Sequence, residues 1–257
     1  MKESAKETVL VTEWYCPAND TRRIELQRAL LENLSCCSFA KVILFAETRD
    51  GIPDEAKRNP KLVIINSETR PSFQEIFAYA NRQLRETQVV VANNDISFRN
   101  SGALDVDTGT FAVFSRHELI GSEITWSPDA CADSQDAWLF QTPCRVKGAT
   151  FFMGRIGCDN RLAWLARMSG YHVRNDGRST VTIHYHESQH RGPERANHVP
   201  SPYLTISEEG EAIEFLHPRS PASDLLRSLT CNFHSAVFTI RFIIARVVRM
   251  LAARRYS

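Results

Sequence analysis

The chain has 257 residues, carries 31 Lys and Arg against 30 Asp and Glu for a net charge of +1, and is 43% apolar. That length supplies core for one α/β unit with an appendage, and the charge balance excludes the chain-wide basic excess of a protein that coats nucleic acid. Seven cysteines, odd in number, scattered and never in a CxxC pair, point away from a disulfide framework or a zinc site.

Short β-rich runs alternate with helical patterns over the first two-thirds, as βαβ units around a mainly parallel sheet require. Residues 8–15 read as the first strand. Residues 21–34 follow as a helix, with Ile24, Leu26, Leu30, Leu31 and Leu34 at near-helical spacing. Strands are expected at 41–47 and 61–66, then a helix at 72–84 that places Phe73, Ile76, Phe77 and Ala80 on one side. Residues 88–92, 110–115 and 137–140 read as further strands, and 159–169 as a helix closed by Gly170. From about 187 to 221 the composition turns to Pro, Ser, His, Arg and Glu with little periodicity, an irregular linker. The organisation expected is a domain at 1–190, an irregular linker or excursion at 191–221 and a helical tail at 222–257.

Four segments carry candidate chemistry. Val89 to Ala92 is an apolar strand running into Asn93, Asn94 and Asp95. Open α/β sheets bind ligands at the carboxyl ends of their strands, and a carboxylate there can hold a divalent ion; the same three residues also favour a plain turn. Asp159 opens a helix, where it can serve as an N-cap, as a general base, or as both. His184 and His186 fall on one face of a strand expected over 183–188, so they can ligate a metal or contact a phosphate, or simply decorate a surface. Asp133, Gln135 and Asp136 precede an aromatic run that contains Trp138; Gln135 could bond sugar hydroxyls while Trp138 stacks on a sugar face, or the segment could be a loop with a core tryptophan.

These residues resemble the GT-A-fold glycosyltransferases, in particular glycosyltransferase family 2 and related bacterial polysaccharide glycosyltransferase-like proteins. The strand ending in Asn93-Asn94-Asp95-Ile96 is similar to the family's DxD motif, with Asn93 in place of the first acid. The run Gly157-Cys158-Asp159-Asn160-Arg161-Leu162-Ala163, with Gly170-Tyr171 downstream, is similar to its ED-type motif, with Cys158 in place of Glu. Phe77-Ala78-Tyr79-Ala80-Asn81 and the run from Ser134 to Phe140 add to the likeness, which spans roughly residues 8–190. The resemblance implies a Rossmann-like GT-A fold and transfer of a sugar from a nucleotide-sugar donor to a glycan or lipid-linked glycan. It implies Asp95, helped by His184 and His186, as ligands of Mn²⁺ or Mg²⁺. Thr12, Glu13, Asn93, Asn94, Asp95 and Arg161 would bind the donor, Gln135 and Trp138 the acceptor. Asp159 would be the base of an inverting transfer; Asp136 beneath the anomeric carbon would make it retaining.

Residues 225–256 contain no acid, and as a helix they gather Arg241, Arg246 and Arg249 opposite Ile240, Ile243, Ile244, Val247, Met250 and Leu251. Such a helix can lie on an anionic membrane surface, pack on the core, or join a second subunit into a homo-oligomer. The charged first residues lack the apolar segment of a secretory leader, and nothing reaches the roughly 18 apolar residues of a span, so a cytoplasmic place, peripheral to the membrane at most, is expected. A catalytically inactive binding protein or a scaffold on the same fold is the alternative. No GxGxxG follows the first strand, which argues against a dehydrogenase.

Overall fold

A seven-stranded sheet forms the centre of the computed structural model, which describes residues 7–99, 104–120, 123–126, 134–186, 198–207 and 210–214. The basic tail with Arg241, Arg246 and Arg249 lies outside the described residues, as does Asp133. In chain order the elements are β1 (Thr8–Trp14), α1 (Asp20–Ser35), β2 (Lys41–Ala46), α2 (Asp54–Lys57), β3 (Leu62–Asn66), α3 (Phe73–Gln83), β4 (Gln88–Ala92) and β5 (Ile96–Phe98). There follow β6 (Thr110–Ser115), β7 (His117–Ile120), β8 (Glu123–Trp126), β9 (Gln135–Gln141), α4 (Cys158–Met168), β10 (His172–Asn175), β11 (Thr182–His184), β12 (Tyr203–Ser207) and β13 (Gly210–Glu214). The main sheet runs β10-β6-β9-β4-β1-β2-β3. It is parallel throughout except for β9, which is antiparallel to both β4 and β6. The mainly parallel α/β expectation is therefore met.

Strand alternation divides the core into two layers. Val9, Val11, Val89, Val91, Phe111, Val113, Trp138 and Phe140 face α3 and α4, whereas Leu10, Val90, Ala112, Phe114 and Leu139 face α1 and α2. α3 is held at its start by a capping box between Ser72 and Glu75, and buries Phe73, Ile76, Phe77 and Ala80 as expected. α4 ends against Gly170, whose φ of 82° supplies the left-handed turn that stops a helix. Among the described residues no helix is long and apolar enough to cross a membrane.

Three expectations are corrected. Ile24 is 61% exposed; the buried stripe of α1 runs instead through Arg22, Glu25, Leu26, Ala29, Leu30, Asn33 and Leu34. Helical spacing is indifferent to polarity, and here polar residues turn inward because a second sheet, β5-β11-β7-β8, meets that face. The stretch expected as a linker contains the hairpin of β12 and β13, and its Val199, Leu204 and Ile206 join the core beside α4. Trp138 is fully buried, its ring edge-on to Phe73 at 4.9 Å, so it offers no face to a sugar.

Core position and exposed position should separate cleanly on substitution. Phe77→Ala is expected to lower stability by about 3–5 kcal/mol through lost transfer energy and the cavity left behind. Ile24→Ala should stay within about 0.5 kcal/mol, as surface changes do. Urea unfolding of both variants checks the pair.

Candidate active site

The turn between β4 and β5 is the centre of the candidate site. β4 stops at Ala92, and Asn93, Asn94 and Asp95 turn the chain from the main sheet into the second one. Asn93 is tied to the start of β9: its backbone N–H donates to the Asp136 carbonyl at 2.9 Å and its amide to Asp136 Oδ1 at 2.7 Å. Asp95 is only 7% exposed, and its Oδ2 receives Arg22 at 2.6 Å from α1 and His184 Nε2 at 3.2 Å from the end of β11. His184 arrives there because β11 pairs with β5, putting His184 opposite Ile96. The strand ends at His184, earlier than expected, yet the Tyr185 N–H still donates to the Asp95 carbonyl and the His184 and His186 rings stay stacked 5.1 Å apart.

Charge alternates across this floor. Glu25 pairs with Arg22 at 3.0 Å, Arg22 with Asp95, Asp95 with His184, and His184 Nδ1 stands 3.7 Å from Glu118 on β7. Arg116 then binds Glu118 and Asp136, each at 2.7 Å. Burial alone would lower the His184 pKa, but the Asp95 and Glu118 carboxylates outweigh it and raise it to about 9. Glu118, drawn down by the nearby His184 ring and, against the pull of burial, also by Arg116, falls to about 2. Burial would raise Asp95 too, yet His184 and Arg22 hold it well below the carboxylate range.

Asp95, His184 and His186 each bring a ligand atom within 4.8 Å of the others. The three donors predicted for a metal are thus brought together, and they fit a divalent ion on two counts. Asp95 Oδ1 is buried and accepts no hydrogen bond from the protein, and the His184 Nε2 that faces Asp95 would become a ligand once a bound ion displaced the proton held between them. The neighbouring Asn93 Oδ1 and Asn94 Nδ2 are likewise buried without a protein partner. Three successive residues at one strand end thus present polar atoms that the fold leaves unbonded.

Asp159 lies on the adjoining side. It is not the N-cap of α4: Gly157, at φ 80°, holds that position, and Asp159 sits in the first turn. Its carboxylate accepts backbone N–H bonds from Asn160 at 2.9 Å and Gln135 at 3.3 Å. Part of it stays open to solvent, but protein packs densely around it. That burial, reinforced by the charge of Asp136 against the opposing Asn160 bond, lifts its pKa to about 7. Asp136 has both oxygens engaged, by Asn93 and by Arg116.

Other expected donor and acceptor contacts are placed elsewhere. The Thr12 hydroxyl donates to the Ala92 carbonyl at 2.9 Å, inside the sheet. Glu13 is 3% exposed behind Arg70, which grips both its oxygens. Arg161 reaches the Pro202 carbonyl and lies over Trp164 at 4.5 Å, bracing the hairpin. Gln135 is 1% exposed and so is not offered to an acceptor. The residues that sequence reasoning passed over are Arg22, Arg70, Arg116 and Glu118. Only Arg22 carried a signal, as a cation in register with the apolar stripe of α1.

No protein-family model and no curated protein matches the chain. Solved structures similar to it include a mannosyltransferase from Pyrobaculum calidifontis in complex with GDP-Man and Mn²⁺, at 14% identity and a TM-score of 0.46 over 76% of this chain. The glycosyltransferase GlyE of Streptococcus pneumoniae follows at 13% identity and a TM-score of 0.30, over 54% of this chain and 34% of its own. A putative glucose-1-phosphate thymidylyltransferase from Bacillus anthracis matches at 7% identity and a TM-score of 0.34, over 66% of this chain and 86% of its own. The chain spans 59% of the mannosyltransferase's length. These are likenesses of general outline and no more.

Asp159 gives the fold a pH dependence of definite sign. Its folded-state pKa of about 7 stands above the ordinary 3.8, so the folded form keeps a proton that the unfolded chain gives up. That contribution to stability is complete below the ordinary value and is lost as pH rises toward the raised one. Asp159→Asn should therefore gain on the wild type across that window and level off above it. Urea unfolding of both proteins over the pH range checks this, and parallel curves would exclude it.

Proposed function

We propose that the chain is a nucleotide-sugar-dependent glycosyltransferase of the GT-A type that inverts the transferred sugar. The observation that carries the reading is the end of β4, where Asn93 Oδ1, Asn94 Nδ2 and Asp95 Oδ1 are buried without protein partners beside two stacked histidines. Polar atoms so placed imply a ligand. Asp95, His184 and His186 would hold a divalent ion, which when bound would neutralise charge on the leaving diphosphate. Two imidazoles and one carboxylate suit Mn²⁺ better than Mg²⁺, whose preference is for oxygen alone.

The chain's own residues divide the remaining work. Arg70 lies on the β3–α3 connection with its side chain 36% exposed, and its fork is fixed by Glu13 behind it. It would contact the nucleotide, taking the place expected of Glu13. Asp159, with its pKa near neutrality, would accept the proton of the acceptor hydroxyl as that oxygen attacks. Asp136, held by Arg116 and Asn93, keeps Asp159 raised and has no free oxygen with which to act as a nucleophile, which favours inversion. A glycan or lipid-linked acceptor is the substrate class in keeping with this reaction, and the tail arginines Arg241, Arg246 and Arg249 would bring a cytoplasmic enzyme to the membrane that carries it.

A thermal-shift screen against UDP-, GDP-, CMP- and dTDP-sugars, with and without Mn²⁺, tests the reading. One nucleotide class should raise the melting temperature only with metal, and the shift should vanish in Asp95→Ala; saturation at 100 times Kd corresponds to about 2.7 kcal/mol. No shift with any donor would end the proposal. A shift with no turnover by wild type, and none restored at any pH, would leave a binding protein on the same fold.

A further inference from the structure

Arg22 is a nearly buried cation with three side-chain hydrogen bonds that the proposed reaction does not use. It lies in the first turn of α1, where Asn19 caps the helix by accepting the Arg22 backbone N–H at 2.9 Å. Its side chain is 11% exposed. One terminal nitrogen donates to Asp95 Oδ2 at 2.6 Å; the other donates to Glu25 Oε2 and to the Tyr185 carbonyl, each at 3.0 Å. Tyr185 is the residue between His184 and His186. A single planar group thus grips the carboxylate of one candidate ligand and the backbone that carries the other two.

We infer that Arg22 is the positioning residue of the metal cluster, setting the spacing of Asp95 against the His184–His186 segment and leaving Oδ1 as the one carboxylate oxygen free to ligate. The inference rests on the reading of those three residues as metal ligands. Without the brace, the carboxylate could turn either oxygen to His184, and the segment after β11 would be tied to the turn chiefly by the Tyr185 to Asp95 backbone bond. Outer-shell partners that orient ligands are worth about 10- to 100-fold in metal affinity. A positive charge beside a cation could act the opposite way, by repulsion. Glu25, 3.0 Å from the same guanidinium, offsets that charge locally, so geometry outweighs repulsion here. Lysine cannot substitute, because its point charge lacks the fork that spans two acceptors.

The test is Mn²⁺ affinity of the full chain, read from the electron paramagnetic resonance signal of free Mn²⁺, in wild type, Arg22→Lys, and Arg22→Met combined with Glu25→Gln. The double variant removes the ion pair as a unit, so it strands no buried charge on Glu25 and leaves the local net charge as it was. Circular dichroism confirms that each is folded. Both variants should bind Mn²⁺ about 10- to 100-fold more weakly than wild type. Equal affinity in a folded variant would reduce Arg22 to a structural ion pair, and tighter binding would make it a competitor of the metal; either overturns the inference. A wild type that binds no Mn²⁺, with His184→Ala and His186→Ala indistinguishable from it, would overturn the metal cluster itself and the inference with it. A failure of Arg22 alone leaves wild-type binding and its loss in the histidine variants intact.

Discussion

A carboxylate that is 7% exposed must be met by positive charge, and the arrangement around Asp95 is organised by that demand. Arg22 comes from the helix after β1, and His184 from the strand that pairs with β5. Each of these cations needs a further anion, so Glu25 and Glu118 enter, and Glu118 brings Arg116, which brings Asp136. The result is one row of alternating charge that crosses from α1 through the second sheet to the rim of the main one. Buried ion pairs of this sort contribute little net stability, because desolvation offsets attraction, although removing one partner costs about 3–5 kcal/mol. Their effect is on geometry: each charged group has its position dictated from both sides.

The row also separates two carboxylates by environment. Asp95 is surrounded by cations and stays ionised far into acid, whereas Asp159 is raised to about 7 by burial and a like-charged neighbour, against the pull of its backbone donors. One environment suits binding of positive charge, and the other suits exchange of a proton near neutral pH. Asp136 is common to both, since it belongs to the ionic row and acts on Asp159 through its field.

Six strands of the main sheet were legible in the sequence because they are apolar runs and the helices between them carry apolar stripes; β4 was placed at Gln88–Ala92 and β6 at Thr110–Ser115 with the bounds observed, whereas β10, His172–Asn175, buries only Val173 and left no such run. The second sheet was not, apart from the strand expected over 183–188, which overlaps β11. β5 and β11 have three residues each, β7 and β8 four, and runs so short carry no readable alternation. Asp95, His184 and His186 could be singled out because strand ends and same-face pairs leave local patterns. Arg70, Arg116 and Glu118 could not, and Arg22 showed only its register with the apolar stripe of α1, since what gives these residues their place is a partner distant in sequence, 73 residues away for Arg22 and Asp95. Trp138 and Gln135 misled for the complementary reason: an aromatic or amide beside an acid looks the same whether it faces solvent or core.

The direction of β9 bears on where such a rim can draw its side chains from. In a sheet of uniformly parallel strands, the rim at the carboxyl ends is built from strand termini and the loops that follow them. Because β9 runs the other way between β4 and β6, its first residues stand beside the last residues of β4, with Ala137 opposite Ala92. A strand's beginning thus enters a row otherwise made of strand endings, and Asp136 reaches Asn93 without any intervening loop. Side chains anchored in a strand have less freedom than those on a loop, so this reversal sets one wall of the rim on the sheet itself.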